Sequence, residues 1–157
     1  MKKLFILTFL FVSSISFAQI ESFDSTYVEG IKKNVKSAIT EIVKDNMTLT
    51  EEQAKIFWPL FNDYIAAYDS IRNQSAAIIE EYMMNYYAMD DKTAKELLTK
   101  SMKLNEEVFT LKKKHLDIML GKLPAVVVGK FFQIDARTTA LVDVVRMSSV
   151  PLVRKPE

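Results

Sequence analysis

An all-α protein of four helices is predicted by three features of the chain. Apolar residues recur every three or four positions over long segments, capping signals stand where those segments begin, and the 157 residues hold only 3 Gly and 4 Pro to make the turns a sheet protein needs. With 49% hydrophobic residues there is material for one core. Length alone favours a single domain.

The chain opens with Met1-Lys2-Lys3, an apolar run from Leu4 to Val12, and small or polar residues up to Ser16-Phe17-Ala18. A positive start, an apolar stretch and a small-x-small site predict a signal peptide over 1–18, cut after Ala18. The apolar run falls short of the roughly 20 residues that span a bilayer. No later segment is long and apolar enough to do so, so no stable membrane insertion is expected after cleavage. With no cysteine, the chain carries neither a disulfide framework nor a lipid-modified N-terminal Cys. The expected location is periplasmic or secreted. Residues 19–27 are polar and mixed and read as a flexible leader to one helical domain over 28–157.

The first helix is predicted from the stripe Ile31, Val35, Ala38, Ile39, Ile42, Val43, with Asp45-Asn46 as its stop. The second opens at Thr50 with a capping box: the Thr50 hydroxyl accepts from the Gln53 N–H, and the Gln53 side chain reaches back to the Thr50 N–H. Leu49 stands at the hydrophobic-staple position. The seam then runs Phe57, Phe61, Tyr64, Tyr68, Ile71, Ser75, Ile78, Tyr82, Asn85, Met89, in steps of four and three that suit a nearly parallel or antiparallel neighbour. Pro59 predicts a kink.

Met89-Asp90-Asp91 interrupts this pattern and supplies an N-cap for the third helix. Its seam is Ala94, Leu97, Ser101, Leu104, Val108, Leu111, His115, Ile118, and Leu98, Met102, Phe109, Leu116 and Met119 widen it enough to reach two neighbours. The short connection makes helices two and three an antiparallel hairpin. Lys112, Lys113 and Lys114 are placed in the last turns, where positive charge suits the carbonyl end. Gly121 is the expected stop, and Pro124 fits the first turn of a fourth helix. That helix, from about Ala125 to Met147, carries the stripe Val127, Phe131, Ile134, Thr138, Leu141, Val145. Val126-Val127-Val128 is also strand-like, but no pairing partner lies nearby. The segment Val150-Pro151-Leu152-Val153 reads as extended and is expected to lie across the bundle.

Charge and chemistry narrow the function. The formal net charge of +1 becomes −1 once Lys2 and Lys3 leave, with 19 basic against 20 acidic residues, which argues against nucleic-acid binding. One histidine, His115, stands in the third seam and reads as a packed residue. Among eight Met, the group Met83, Met84, Met89 is the one conceivable soft-metal site, though Met at helical spacing is core filler more often. Neither a catalytic triad nor a phosphate loop is recognisable, and Glu80-Glu81 and Glu106-Glu107 read as partners of Lys or Arg a turn away. No enzymatic activity, cofactor or metal is expected. Helix two, however, carries more aromatic residues than one seam can bury: Phe57, Trp58, Phe61, Tyr64, Tyr68, Tyr82, Tyr86 and Tyr87. A partly exposed band of them, ringed by Arg72, Lys95, Lys100 and Lys103, would make a protein-binding face, and packing against the other helices is the alternative reading.

The run Leu49-Thr50-Glu51-Glu52-Gln53, and Leu123-Pro124 followed by Lys130-Phe131-Phe132-Gln133-Ile134-Asp135-Ala136-Arg137, resemble the Spy/CpxP-related family of exported bacterial proteins, whose members carry two Leu-Thr-x-x-Gln motifs. The first motif matches in full. In the second, Leu123-Pro124 replaces Leu-Thr and the glutamine comes later, at Gln133. The resemblance implies a bent helical hairpin, often paired into a cradle-shaped homodimer. It implies an envelope-stress protein that holds unfolded clients without ATP, or an adaptor for a signalling protein. A periplasmic metal or small-ligand sensor is the alternative it leaves open. Thr50 and Gln53 need no function beyond capping.

Overall fold

In the computed structural model, which describes residues 34–148 and 150–153, the chain forms four α-helices with no strand among the described residues. They are α1 (Val35–Asn46), α2 (Glu51–Met84), α3 (Asp91–Leu120) and α4 (Ala125–Met147), with a short 3-10 turn over Tyr86–Ala88. The signal segment, the leader and Ile31 lie outside the described residues. None of the described helices is long and apolar enough to cross a membrane.

Each helix begins where local chemistry dictates. The Asn34 side chain accepts from the Ser37 N–H at 3.0 Å, and α1 then buries Ala38, Ile39, Ile42 and Val43. At Thr50 the full capping box is present: Gln53 N–H donates to the Thr50 hydroxyl at 3.3 Å, and Thr50 N–H donates to Gln53 Oε1 at 3.1 Å. Asp90 caps α3 through the Thr93 N–H at 2.7 Å, and this bond holds its carboxyl below the usual carboxylate range. Pro59 falls within α2 without ending it. Its missing N–H removes one backbone bond near the start of a 34-residue helix that otherwise continues to Met84.

The α3–α4 connection departs from expectation in two details. Gly121 ends α3 with φ −73°, in the ordinary right-handed region, so the turn does not use glycine's left-handed freedom. Leu123 donates its N–H to the Met119 carbonyl at 2.8 Å and buries its side chain, which closes the corner instead. Pro124 is the N-cap of α4 rather than a residue of its first turn. The valine run that follows is helical.

Side-chain pairs fix how the helices lie. Along the hairpin Glu81 meets Lys100, Tyr68 meets Lys112 and Tyr64 meets His115, so α3 descends as α2 rises. Between α2 and α4 the pairs Tyr64 with Asp135, Tyr68 with Thr139 and Ser75 with Arg146 are all separated by 71 in sequence, so these two helices run parallel in one register. The order is therefore up, down, up, with α1 packed on α4. Because α4 stops at Met147, just beyond the level of Ser75, the hairpin continues past it toward Met84 and Asp91.

The face that α4 turns inward is displaced from the expected stripe. Val128, Phe131, Asp135, Thr138 and Val142 are buried, whereas Val127, Ile134, Leu141 and Val145 are half-buried. The α3 stripe is also narrower than expected. Leu97, Leu104, His115 and Met119 are buried, while Leu98, Met102 and Phe109 project into solvent at 67%, 60% and 70% exposure.

Two substitutions test this account. Thr50→Ala removes one half of the capping box and is expected to cost about 1 kcal/mol. Phe131→Ala empties the centre of the aromatic core and is expected to cost ~3–5 kcal/mol. Urea unfolding followed by circular dichroism reads both; equal costs for the two would contradict the core assignment.

Candidate functional site

The aromatic residues of α2 divide into two sets. Phe57, Phe61, Tyr64 and Tyr68 occupy successive turns on the inward face and are at most 5% exposed. Phe131 of α4 meets Phe57, Phe61 and Tyr64 edge-on, with centroids 5.4, 5.9 and 5.6 Å away. Such T-shaped contacts set the positive ring edge against the negative face of its neighbour. Trp58 is half-buried and packs against this cluster, edge-on to both Phe57 and Phe61. The expectation of one exposed band is corrected for these residues, because the inward direction of α2 is covered by α4.

The second set lies at the hairpin tip. Tyr82 and Tyr86 are half-buried and meet edge-on at 5.9 Å, and Tyr87 is 85% exposed. Met83 and Met84 beside them are exposed, while Met89 faces a groove. On α3, Leu98, Met102 and Phe109 fall within about 40° of one another around the helix axis at 3.6 residues per turn. They form an apolar stripe on the solvent side. Lys95 and Lys103 are exposed on the same helix, whereas Lys100 is drawn to Glu81, with 2.7 Å between ammonium and carboxylate. The Glu81 partner is thus on the neighbouring helix rather than a turn away. Arg72 does not ring the face: burial pushes its pKa down, partly opposed by Asp69.

Beneath the ladder lies a polar cluster that periodicity did not reveal. Asp135 is 5% exposed in the middle of α4. Its Oδ1 accepts from the Tyr64 hydroxyl at 2.7 Å, and its Oδ2 lies 2.7 Å from the Lys112 ammonium. Lys112 also donates to the Thr139 hydroxyl at 3.3 Å and sits over the Tyr68 ring. Burial, followed by the neighbouring Asp135 charge, pushes the Tyr64 hydroxyl far above its ordinary pKa, so it is a neutral donor. Lys112 therefore serves Asp135, not the end of α3, which runs on to Leu120. A signal was present in the sequence: Asp135 stands four residues after Phe131 and three before Thr138, on one face with both at helical spacing, where a carboxylate needs a counter-charge.

His115 is buried against Tyr64 at a centroid distance of 5.3 Å. Its Nδ1 lies 3.0 Å from the Leu111 carbonyl, which can only accept, so Nδ1 carries the proton. Among the described residues no three His, Asp or Glu side chains gather as a metal site would require. Of the motif residues, Leu49 packs on the core, Thr50 and Gln53 form the cap, and Gln133 and Arg137 stand on the exposed side of α4. No family model, curated protein or solved structure matches the chain.

Lys112→Met strands the Asp135 carboxylate and is expected to cost about 2–4 kcal/mol, most of it recovered when Asp135→Leu is added. Urea denaturation of the three variants is the measurement. A double variant no more stable than Lys112→Met alone would show that the two residues are not coupled.

Proposed function

We propose that this protein is an exported, cofactor-free binder of unfolded or misfolded chains, of the kind found in the Spy/CpxP-related family, acting on envelope proteins under stress. The observation that carries the reading is the row Leu98, Met102, Phe109 on the solvent face of α3, with Met83, Met84 and Tyr87 also exposed at the hairpin tip. Large apolar side chains aligned on one face, rather than scattered, mark surfaces that contact other molecules. Methionine adds a flexible, polarisable side chain that adapts to many partner shapes. Lysines beside the row keep it hydrated and suit clients with mixed or acidic character. This surface replaces the inward aromatic ladder as the proposed contact face, since the ladder is committed to the core. Export rests on Met1-Lys2-Lys3, the apolar run from Leu4 to Val12 and the small-x-small site at Ser16-Phe17-Ala18.

The mature protein is expected to suppress aggregation of a chemically denatured client at stoichiometric ratio without nucleotide. Met102→Ser with Phe109→Ser is expected to weaken suppression at least threefold while leaving the melting temperature nearly unchanged, because both residues are solvent-exposed. Light scattering and a thermal melt read the two effects. Undiminished suppression by the double variant would move the contact face elsewhere, and no suppression by the wild-type protein would end the reading. Retention of the protein in the cytosol after cell fractionation would remove its exported location.

A further inference from the structure

Beyond Met147 no third helix among the described residues lies over the hairpin, and Ile78, Tyr82, Leu97 and Leu98 border an apolar groove of ≈ 280 Å³ there. Among the described residues its cover is the segment Val150–Val153, which borders the groove without filling it. The segment leaves a turn in which the Val150 N–H donates to the Met147 carbonyl at 3.1 Å, forms no regular secondary structure, and carries no charge. The Tyr82 hydroxyl donates to the Pro151 carbonyl at 2.8 Å. Val150 and Pro151 are half-buried, whereas Leu152 and Val153 remain 89% and 62% exposed. An aliphatic segment thus lies on a groove with room to spare, held by the Val150 N–H bond to Met147, by one side-chain hydrogen bond to its backbone and by two of its four side chains.

We propose that this groove is a docking site for extended aliphatic peptide segments of client chains, and that residues 150–153 are a strap that competes for it. The resident segment displays the ligand chemistry: small branched or cyclic apolar side chains and a backbone carbonyl presented to Tyr82. The nearly uninterrupted apolar lining disfavours a charged segment, since no group in it offers a counter-charge. A ligand in the strap's place gains the same carbonyl contact and the unfilled volume, provided the strap moves aside. The identity of the occupant rests on the client-binding reading above; the groove and its strap do not.

Fluorescence anisotropy of a fluorescein-labelled peptide Ser-Val-Pro-Leu-Val-Arg, against the mature chain and its variants, tests the proposal. Val150→Asp in the full chain, and separately a chain ended after residue 148, are each expected to bind the probe at least tenfold more tightly than wild type. Adding Tyr82→Phe to the Val150→Asp chain is expected to weaken binding severalfold, with helix content by circular dichroism unchanged. A probe that binds all chains alike, or none, overturns the proposal. So does sedimentation showing a wild-type dimer that both strap variants dissociate, which would make the strap of a second copy the occupant. A protein that binds the probe in this pattern yet fails to suppress client aggregation keeps the strap and groove while losing the client reading. One that suppresses aggregation without probe binding does the reverse.

Discussion

The burial of Asp135 is the constraint to which the rest of the bundle is fitted. A carboxylate in the interior is tolerated only where a counter-charge and hydrogen-bond donors reach both its oxygens. Here Lys112 comes from α3 and Tyr64 from α2, so the three helices must meet at one level for the charge to be satisfied. Apolar side chains alone would permit neighbouring registers at modest cost, because greasy contacts are non-directional. A carboxylate with two oxygens committed at 2.7 Å does not permit them. The constant separation of 71 along the α2–α4 pairs is the geometric result. The same level carries the aromatic contacts of Phe131, so polar specificity and apolar stabilisation coincide in one slab of the molecule.

Much of the helical order was legible because the responsible signals are local. The capping box at Thr50, the Asp90 cap and the inward faces of α1 and α2 depend on residues a few positions apart, and they stand where the spacing placed them. The face of α4 was not legible. Val126-Val127-Val128, Phe131-Phe132 and Leu141-Val142 supply apolar candidates on several sides, so a spacing of three and four can be drawn through more than one set. Asp135 then looks like a solvent residue until Lys112 and Tyr64 are brought to it by a fold that no local pattern contains.

The width of the α3 stripe was misread on related grounds. Leu98, Met102 and Phe109 satisfy the helical spacing as well as the buried residues do, but spacing says only that they share a side, not that another helix covers that side. With α2 and α4 as its neighbours among the described residues, α3 has one direction left over, and these residues occupy it. The aromatic band of α2 shows the converse. Phe57, Phe61, Tyr64 and Tyr68 are core, because two helices converge on them, while Tyr86 and Tyr87 lie beyond the reach of α4. The aromatic residues were plain in the sequence, and their sorting into interior and surface required the lengths of the helices to be compared.

The unequal length of α4 and the hairpin divides the protein into regions of unlike cohesion. Near Phe57 and Phe131 every helix is flanked by others, and opening any of them exposes the whole aromatic slab. Toward Met84 and Asp91, among the described residues, two helices and the short segment Val150–Val153 hold together, with several large side chains already in water. Local unfolding follows such differences, since free energies of opening fall where few apolar contacts are broken. Amide hydrogens around the tip are therefore the ones that would trade with deuterium while the slab stays closed, leaving a protein able to loosen one end without surrendering its fold.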